Sequence, residues 1–328
     1  IKLAQFRRHL GSVDAAGAIL THSDNVAYLT GFRSVMDGWH LLEPISGVFV
    51  PTDPTAPVTL FLPEASLIAL VTSEREGVSV FYERLRTYDM LNFCAMARAN
   101  DAHLELPNAI IDALSDITDC IAGSCSASII LAIGNCLSEH VCQQQTVLFD
   151  DLRVATHVHD QNEQSWGDAL DIVLATRAVK TPDEIAILEQ SGVIADGIIK
   201  HTTSQLGMGK RWCDVEKSVA KYMIDHDVDP LPGSPLLFGG AYDLVFRPDL
   251  FRTPYDLPFR GGEIAILETQ GRYRSFWIDI NRTAFIGTPS QAYRDQHQHL
   301  MAIYNVLVER LKPGVNTAEL CRIDNIPD

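Results

Sequence analysis

The sequence predicts an α/β domain in its first half, followed by an α+β domain in its second half. Short apolar runs alternate with helix-like segments up to about residue 160, which is typical of helices packed on a sheet. A polar stretch over 160–165 interrupts this alternation, as connections between domains commonly do. A capped long helix and two long strand candidates follow it. We therefore divide the chain into residues 1–160 and 161–328.

The elements of the first half are predicted from apolar runs that are bounded by turn residues. Runs rich in aliphatic and β-branched residues predict strands over 16–20, 47–50, 58–62, 78–82, 128–133 and 154–157. Segments with helical spacing predict helices over 64–72, 108–117 and 140–148.

The second half begins with a strong helix signal. Thr181 can cap the helix, Pro182 occupies its first position, and Glu184 supplies the carboxylate of a capping box. This helix ends before Gly207. The elements predicted after it are a helix over 214–225, strands over 263–269 and 276–285 joined as a hairpin through 270–272, and a helix over 291–311.

Charge and composition exclude several classes of function. The chain has 328 residues, with 42 acidic residues against 26 Lys plus Arg, for a formal charge of −16. Such a charge repels phosphate backbones and anionic membrane surfaces, so no nucleic-acid or membrane partner is expected. No apolar run approaches the ~20 residues of a membrane-spanning helix. The seven cysteines form no C-x-x-C pair and are expected to be reduced and structural.

The start of the chain bears on its location. Ile1 stands where an initiator Met would be expected, and residues 2–10 lack the apolar core of a signal peptide. We expect a cytoplasmic protein in a reducing compartment, trimmed at its first residues.

Glu268 and Asp279 are the most informative polar residues, because each is an acid within an apolar strand. Side chains alternate along a strand, so Asp279 lies on the face opposite Ile278 and Ile280. If the hairpin pairs in register, Glu268 would stand close to Asp279. Two buried carboxylates require a proton, a cation or a metal ion between them. The alternative is an exposed face on which water solvates both acids.

These residues resemble the metal-binding hairpin of the creatinase, aminopeptidase P and prolidase family. The resemblance extends over nearly the whole chain, in the expected order. Its segments are NVAYLTGF at 25–32, RAVKTPDEI at 177–185, GEIAILE at 262–268, DINRT at 279–283 with Gly287, and LKPG at 311–314.

The resemblance implies a pita-bread fold: a creatinase-like N-terminal domain at 1–160 and a catalytic domain at 161–328. It implies an Xaa-Pro dipeptidase or aminopeptidase that hydrolyses a C–N bond in a small peptide or amide. Two divalent ions (Mn, Co, Zn or Fe) would be held by two Asp, one His and two Glu. Glu268 stands at the position of the first Asp, and Asp279 matches the second.

The remaining ligands of the family come after Pro313 and Gly314. We therefore expect the catalytic domain to be incomplete at its C-terminus, and the 328-residue chain alone to lack metallopeptidase activity.

Further site residues are implied by the same resemblance. Trp39 and His40 follow the YLTGF motif, where family members send a loop into the active site of the partner subunit, which implies a homodimer. The alternative is a surface turn with Trp39 packed on the sheet. Phe246 or Asp243 occupies the place of a substrate-facing His of the family. Arg282 is expected to pair with a nearby carboxylate and hold the hairpin.

Two alternative functions are considered beside the metallopeptidase. One is a metal-free amidohydrolase like creatinase or ectoine hydrolase, and the other is a non-catalytic peptide-binding protein. Metal roles are not expected for His297 and His299, which point to different faces of a helix, or for His157 and His159 at a predicted strand. Motifs for a serine nucleophile or a nucleotide are absent.

Overall fold

A computed structural model of the protein describes residues 2–34, 36–37, 43–75, 79–90, 108–142, 144–162, 165–231, 236–240 and 258–320. The chain divides into two compact units, Ile1–Ile185 and Ala186–Asp328. The division therefore falls after Ile185 rather than at the predicted position 160/161. Among the described helices, none has both the length and the apolar composition needed to cross a membrane.

The first unit is an α/β domain built on a six-stranded mixed sheet. Its strands are β1 (Gly17–Leu20), β2 (Gly47–Pro51), β3 (Thr59–Pro63), β4 (Arg84–Tyr88), β5 (Thr146–Phe149) and β6 (Ser165–Asp168). Its helices are α1 (Lys2–Leu10), α2 (Ser23–Thr30), α3 (Leu67–Arg75), α4 (Asn108–Asp116), α5 (Ile129–His140), α6 (Leu152–Asn162) and α7 (Leu170–Ala178). The strand order is β4-β3-β2-β1-β5-β6, with β1–β2 and β2–β3 antiparallel and the other pairs parallel.

The two faces of this sheet carry separate apolar cores. Ile19 and Leu20, neighbours on β1, belong to different clusters, because successive side chains of a strand point to opposite faces. Every residue of β1, β2 and β3 is buried. Strands covered on both faces have nearly continuous apolar sequences, so the short runs predicted at 16–20, 47–50 and 58–62 are confirmed as strands.

Several predicted elements of the first half are wrong. The strand predicted over 78–82 lies instead at Arg84–Tyr88, and the helix predicted over 140–148 is replaced by β5. The run over 128–133 is not a strand: Ser128 caps α5, its Oγ accepting from the Leu131 N–H at 3.2 Å.

The segment over 154–157 is also helical, within α6. Short apolar runs fit a strand or a buried helix equally well, and their type depends on what they pack against. The buried residues of α5 have helical spacing, at Ile129, Ala132, Ile133, Cys136 and Leu137.

The first unit extends beyond residue 160 because β6 and α7 belong to its sheet and core. β6 pairs in parallel with β5, from Thr146 with Ser165 to Phe149 with Asp168. Ala169, Ile172 and Val173 are buried in one of the two apolar clusters. The described residues of the polar stretch at 160–165 end α6 and begin β6, within the first unit.

A polar network joins the two motifs of the first unit that carry the family resemblance. The Asp150 carboxylate accepts hydrogen bonds from the backbone N–H groups of Thr21 at 2.8 Å and His22 at 3.1 Å, and from Asn25 Nδ2 at 2.8 Å. Asn25 Oδ1 in turn accepts from Arg177 Nη1 at 3.0 Å. Because each partner of Asn25 uses a different end of its amide, the side chain has one orientation in this network.

The predicted capping box is present. Glu184 Oε2 accepts from the Thr181 N–H at 2.7 Å, and Thr181 Oγ1 accepts from the Glu184 N–H at 3.3 Å. Glu184 is only 1% exposed, and Lys2 Nζ lies 3.8 Å from its Oε1. Burial, together with the Glu184 carboxylate, raises the pKa of Tyr28 to about 12. The start of the helix is therefore embedded in the first unit.

The second unit places helices against a four-stranded antiparallel sheet. Its elements are α8 (Pro182–Gln205), α9 (Trp212–Ile224), β7 (Asp229–Pro230), β8 (Leu236–Gly240), β9 (Ile264–Tyr273), β10 (Phe276–Phe285), α10 (Gln291–Arg310) and α11 (Thr317–Leu320). β9 pairs with β10 along its full length, and with β8 and β7 on its other side.

One face of the hairpin packs on helices α8 and α9. Ala265, Leu267 and Ile278 are buried with residues of both helices in one apolar cluster. Gly271 lies on the same face, and a Cβ atom there would be 2.6 Å from Val228 Cγ1 and 2.8 Å from Met223 Cε. Only glycine fits this close approach.

The hairpin turn is not where the sequence predicted it. The strands reverse at Arg274 and Ser275, whose φ angles of 47° and 69° are both positive, as a two-residue turn matched to the twist of the strands requires. β9 therefore runs through the predicted turn at 270–272 and ends at Tyr273. Neither turn residue is Gly or Asn, so the usual turn signal is missing.

Five of the seven cysteines lie in the described part of the chain. Cys120, Cys125, Cys136, Cys142 and Cys213 are free. Burial is the main cause that raises the pKa of the Cys136 thiol, to about 11. Cys136 is thus held as a neutral thiol in the core of the first unit.

Candidate functional site

The face of the hairpin opposite the helices carries a group of polar side chains. Alternation along β9 and β10 places Glu268, Gln270, Asp279 and Asn281 on this face. Glu268 is half-buried, whereas Asp279 and Asn281 are exposed. The predicted alternation of β10 is confirmed, since Ile278 on the other face is buried.

Strand register determines how the two acids are related. Glu268 pairs with Asn281, and Gln270 pairs with Asp279. Glu268 and Asp279 are therefore diagonal neighbours rather than direct partners, and such positions lie about 7–8 Å apart. The two side chains extend to the same side of the sheet.

A side-chain hydrogen bond orients one of these acids. Gln270 Nε2 donates to Glu268 Oε1 at 2.9 Å. Gln270 was assigned to the turn in the sequence analysis and was missed as a site residue. The signal that could have found it is the period of two from Glu268, since a strand that continues past Thr269 brings residue 270 to the same face.

The donors on this face have the chemistry that a divalent cation requires. Carboxylate oxygens are ligands of divalent metals, and amide oxygens add neutral ligands for hard ions. The residues present thus fit part of a metal site. Within the described residues, no three His, Cys, Asp or Glu side chains come together in a way that could hold an ion.

Arg282 lies on the other face of β10, away from the two acids. Its Nη1 donates to the backbone carbonyl of Asn281 at 2.7 Å. Within the described part of the chain, no carboxylate lies at ion-pair distance from Arg282. The side chain lines an open cleft of about 380 Å³ with residues of α8 such as Ile199 and Thr203.

The other expected site residues lie outside the part of the chain that the structure describes. They are Trp39, His40, Phe246 and the alternative Asp243.

The four histidines for which no metal role was expected lie on helices. His297 and His299 are both exposed on α10. His157 and His159 lie on helix α6, so their assignment to a strand is wrong.

Comparison with known proteins finds similarity to a peptidase family in the second unit. Residues 186–323 match metallopeptidase family M24, and this match begins at the first residue of the second compact unit. The Xaa-Pro dipeptidase of Pyrococcus furiosus is 23% identical over 150 residues, covering 46% of this chain and 42% of the relative. The ectoine hydrolase of Halomonas elongata is 28% identical over 166 residues, covering 47% of this chain and 40% of the relative.

Solved structures extend the similarity to both units. A dipeptidase from Pyrococcus horikoshii OT3 has a TM-score of 0.68 at 15% identity, covering 98% of this chain and 75% of that chain. The prolidase from Pyrococcus furiosus has a TM-score of 0.64 at 17% identity, covering 96% and 75%. An X-Pro aminopeptidase from Thermotoga maritima MSB8 has a TM-score of 0.65 at 13% identity, covering 95% and 74%.

These comparisons show what the chain is similar to. Residues 186–323 match metallopeptidase family M24, and the fold of the chain is similar to that of prolidases and an X-Pro aminopeptidase of known structure. The matched regions span about two fifths of the length of the curated relatives.

Proposed function

We propose that the protein acts as a metal-dependent hydrolase of a C–N bond, with Xaa-Pro dipeptides or related small peptides as substrates. The observation that carries this proposal is the position of Glu268 and Asp279, eleven residues apart in sequence and on one face of the hairpin within the M24 match. Two divalent ions of the Mn, Co, Zn or Fe type are the proposed cofactor.

In this proposal, Glu268 and Asp279 supply two of the metal ligands. A bound divalent ion would activate water and polarise the scissile carbonyl. Glu268 is one methylene longer than the Asp of the family, so its carboxylate reaches further from the strand. Gln270, through its 2.9 Å hydrogen bond, limits the positions that this longer side chain can adopt.

Substrate contacts and assembly form a second part of the proposal. By family resemblance, Trp39 and His40 contact substrate across a homodimer, and Phe246 contacts substrate within one subunit. Sedimentation of wild type and Trp39→Ala tests this part. A wild-type dimer is expected. A wild-type monomer at all protein concentrations would contradict the shared site.

The second candidate function is a metal-free amidohydrolase of the ectoine hydrolase or creatinase kind. It is favoured by the 28% identity to the ectoine hydrolase of Halomonas elongata and by Glu268 at the position of the first Asp. A His and carboxylates would then move the protons. A third candidate, a non-catalytic peptide-binding protein, predicts substrate binding without turnover.

The experiment measures hydrolysis of an Xaa-Pro dipeptide, ectoine and creatine by the protein isolated from its natural source. The intact mass is compared with the 36.3 kDa of this chain. Each reaction is run with added Mn²⁺ and with a chelator, in parallel with elemental analysis.

The leading proposal predicts that dipeptide hydrolysis requires the metal. Cleavage of ectoine or creatine that persists in chelator would instead support the metal-free reading. Peptide binding without hydrolysis of any substrate would support the binding protein. Glu268→Gln and Asp279→Asn should each abolish metal-dependent turnover, whereas Asp295→Asn on α10 should not change it.

A further inference from the structure

We propose that Gln270 is a positioning residue that holds the Glu268 carboxylate in a metal-binding orientation. This inference rests on the proposed metal-dependent function. It assigns a role to the Gln270 side chain, which is not one of the two proposed metal ligands. Gln270 acts through Glu268, and the proposal gives it no contact with the metal.

The contact is direct. Gln270 Nε2 donates to Glu268 Oε1 at 2.9 Å, which is an ordinary length for a hydrogen bond to a carboxylate. The two residues are separated by one position on β9, so their side chains leave the same face of the sheet. The hydrogen bond uses one carboxylate oxygen, and Oε2 is the oxygen we assign to the cation.

The backbone that carries Gln270 is restrained on both edges of β9. Gln270 pairs with Asp279 of β10 on one side, and its carbonyl oxygen accepts from the Leu231 N–H at 3.2 Å on the other. The next residue, Gly271, packs closely on Val228 and Met223. The amide group of Gln270 therefore starts from an anchored position, which a residue in a loop would lack.

The chemistry of Gln270 suits this role. Glutamate has one more rotatable bond than aspartate, so its carboxylate samples more positions unless something restrains it. An amide restrains it without adding a positive charge that would repel a cation. Groups that orient metal ligands in this way typically change metal affinity by about 10–100-fold when they are removed.

The test measures Mn²⁺ affinity of the 328-residue chain by electron paramagnetic resonance of free Mn²⁺, so the readout does not depend on activity. Gln270→Met keeps the approximate size of the side chain and removes the donor. Gln298→Met, on the exposed surface of α10, is the matched control. Far-UV circular dichroism and thermal unfolding verify that each variant is folded. If Gln270→Met does not fold, Gln270→Ala provides a second variant that also removes the donor.

A double-mutant cycle shows whether Gln270 acts through Glu268. In Glu268→Asp, the carboxylate ends about 1.5 Å, one C–C bond, nearer the backbone, and the hydrogen bond to Gln270 is lost. We expect Gln270→Met to weaken Mn²⁺ binding about tenfold or more in the wild-type background, and by less than about twofold in Glu268→Asp. Gln298→Met should leave the affinity unchanged.

Two results would overturn the inference while leaving the proposed function intact. One is a wild-type affinity for Mn²⁺ in Gln270→Met. The other is an equal loss in both backgrounds, which would show that Gln270 does not act through Glu268. A wild-type chain that binds no Mn²⁺ would also overturn the inference, whereas the proposed function is judged separately, by the metal dependence of dipeptide hydrolysis.

Discussion

Replacement of Asp150 by Asn tests the polar network that joins the two motifs of the first unit. The carboxylate accepts from Thr21 N and Thr21 Oγ1 through Oδ1, and from His22 N and Asn25 Nδ2 through Oδ2. An amide keeps only one oxygen, so its NH₂ group opposes two fixed donors at the Oδ2 position, and at the Oδ1 position it opposes the Thr21 N–H while the Thr21 hydroxyl can turn to accept from it. Asn25 cannot relieve the clash by turning over, because its Oδ1 already accepts from Arg177.

The magnitude follows from the orientation that loses less, in which the Thr21 N–H is the donor left without an acceptor. Hydrogen bonds to charged groups contribute about 1.5–3 kcal/mol each, so the expected loss is about 1.5–3 kcal/mol. For a unit of this size, 1 kcal/mol shifts Tm by about 2–4 °C. The expected decrease in Tm is therefore about 3–12 °C.

The assay combines urea unfolding with amide hydrogen exchange of the β1 and β5 peptides, where the network lies. Asp151→Asn is the matched control. Asp151 Oδ1 accepts from the Arg153 N–H at the start of α6, and Asn serves this position as well as Asp. Its pair with the exposed Arg153 is screened by water and contributes little to stability. A loss below 1 kcal/mol in Asp150→Asn, or equal losses in both variants, would refute the reasoning.

Two further predictions concern the first unit and its capped helix. Gly31 has φ +81°, and a Cβ there would lie 2.3 Å from the Ser79 carbonyl oxygen, so Gly31→Ala should destabilise by at least about 2 kcal/mol in urea unfolding. At Gly192 no atom lies within 4 Å of an added Cβ, so Gly192→Ala should instead stabilise the protein by up to about 1 kcal/mol. Equal effects of the two substitutions on the free energy of unfolding would contradict this expectation. Tyr28 has its pKa raised from 10.0 to about 12, so the stability contributed by its neutral phenol is present below pH 10 and is lost as the pH rises through 12. Glu184→Gln, which keeps the capping acceptor, should lower the pKa of Tyr28 in NMR titration of labelled tyrosine, and an unchanged titration would leave burial as the sole cause.

The second half shows how much of a site local sequence can predict. The capping box at Thr181 and Glu184, both hairpin strands and the face shared by Asp279 and Asn281 were predictable, because capping and alternation depend on residues near in sequence. The turn was not. Its two residues, Arg274 and Ser275, adopt positive φ values without the Gly or Asn that normally signals them.

The misplaced turn also hid the contact between Glu268 and Gln270. With the turn at 270–272, Gln270 would not belong to the strand face at all. In the structure β9 continues past Thr269, and Gln270 pairs with Asp279. Val228 and Met223 pack closely against Gly271 in this extended part of β9.

The first half was less predictable for a different reason. Apolar runs on β1, β2 and β3 were correctly assigned, because a strand buried on both faces needs a short continuous apolar sequence. The runs predicted as strands over 128–133 and 154–157 instead lie in the helices Ile129–His140 and Leu152–Asn162. Their period of 3.6 emerges only when buried positions such as Ala132, Cys136 and Val158 are known.

By itself, the sequence predicted the resemblance to prolidases, the α/β character of the first half, the capped helix that begins at Pro182 and the two strands of the hairpin. These features depend on residue chemistry and on spacing along the chain. Only the tertiary structure decided which strands pair, where the hairpin turns and that the first unit continues to Ile185. The physical reason is that register and burial depend on contacts between distant segments, such as β5 with β6 and β9 with its neighbours, and local pattern does not specify those contacts.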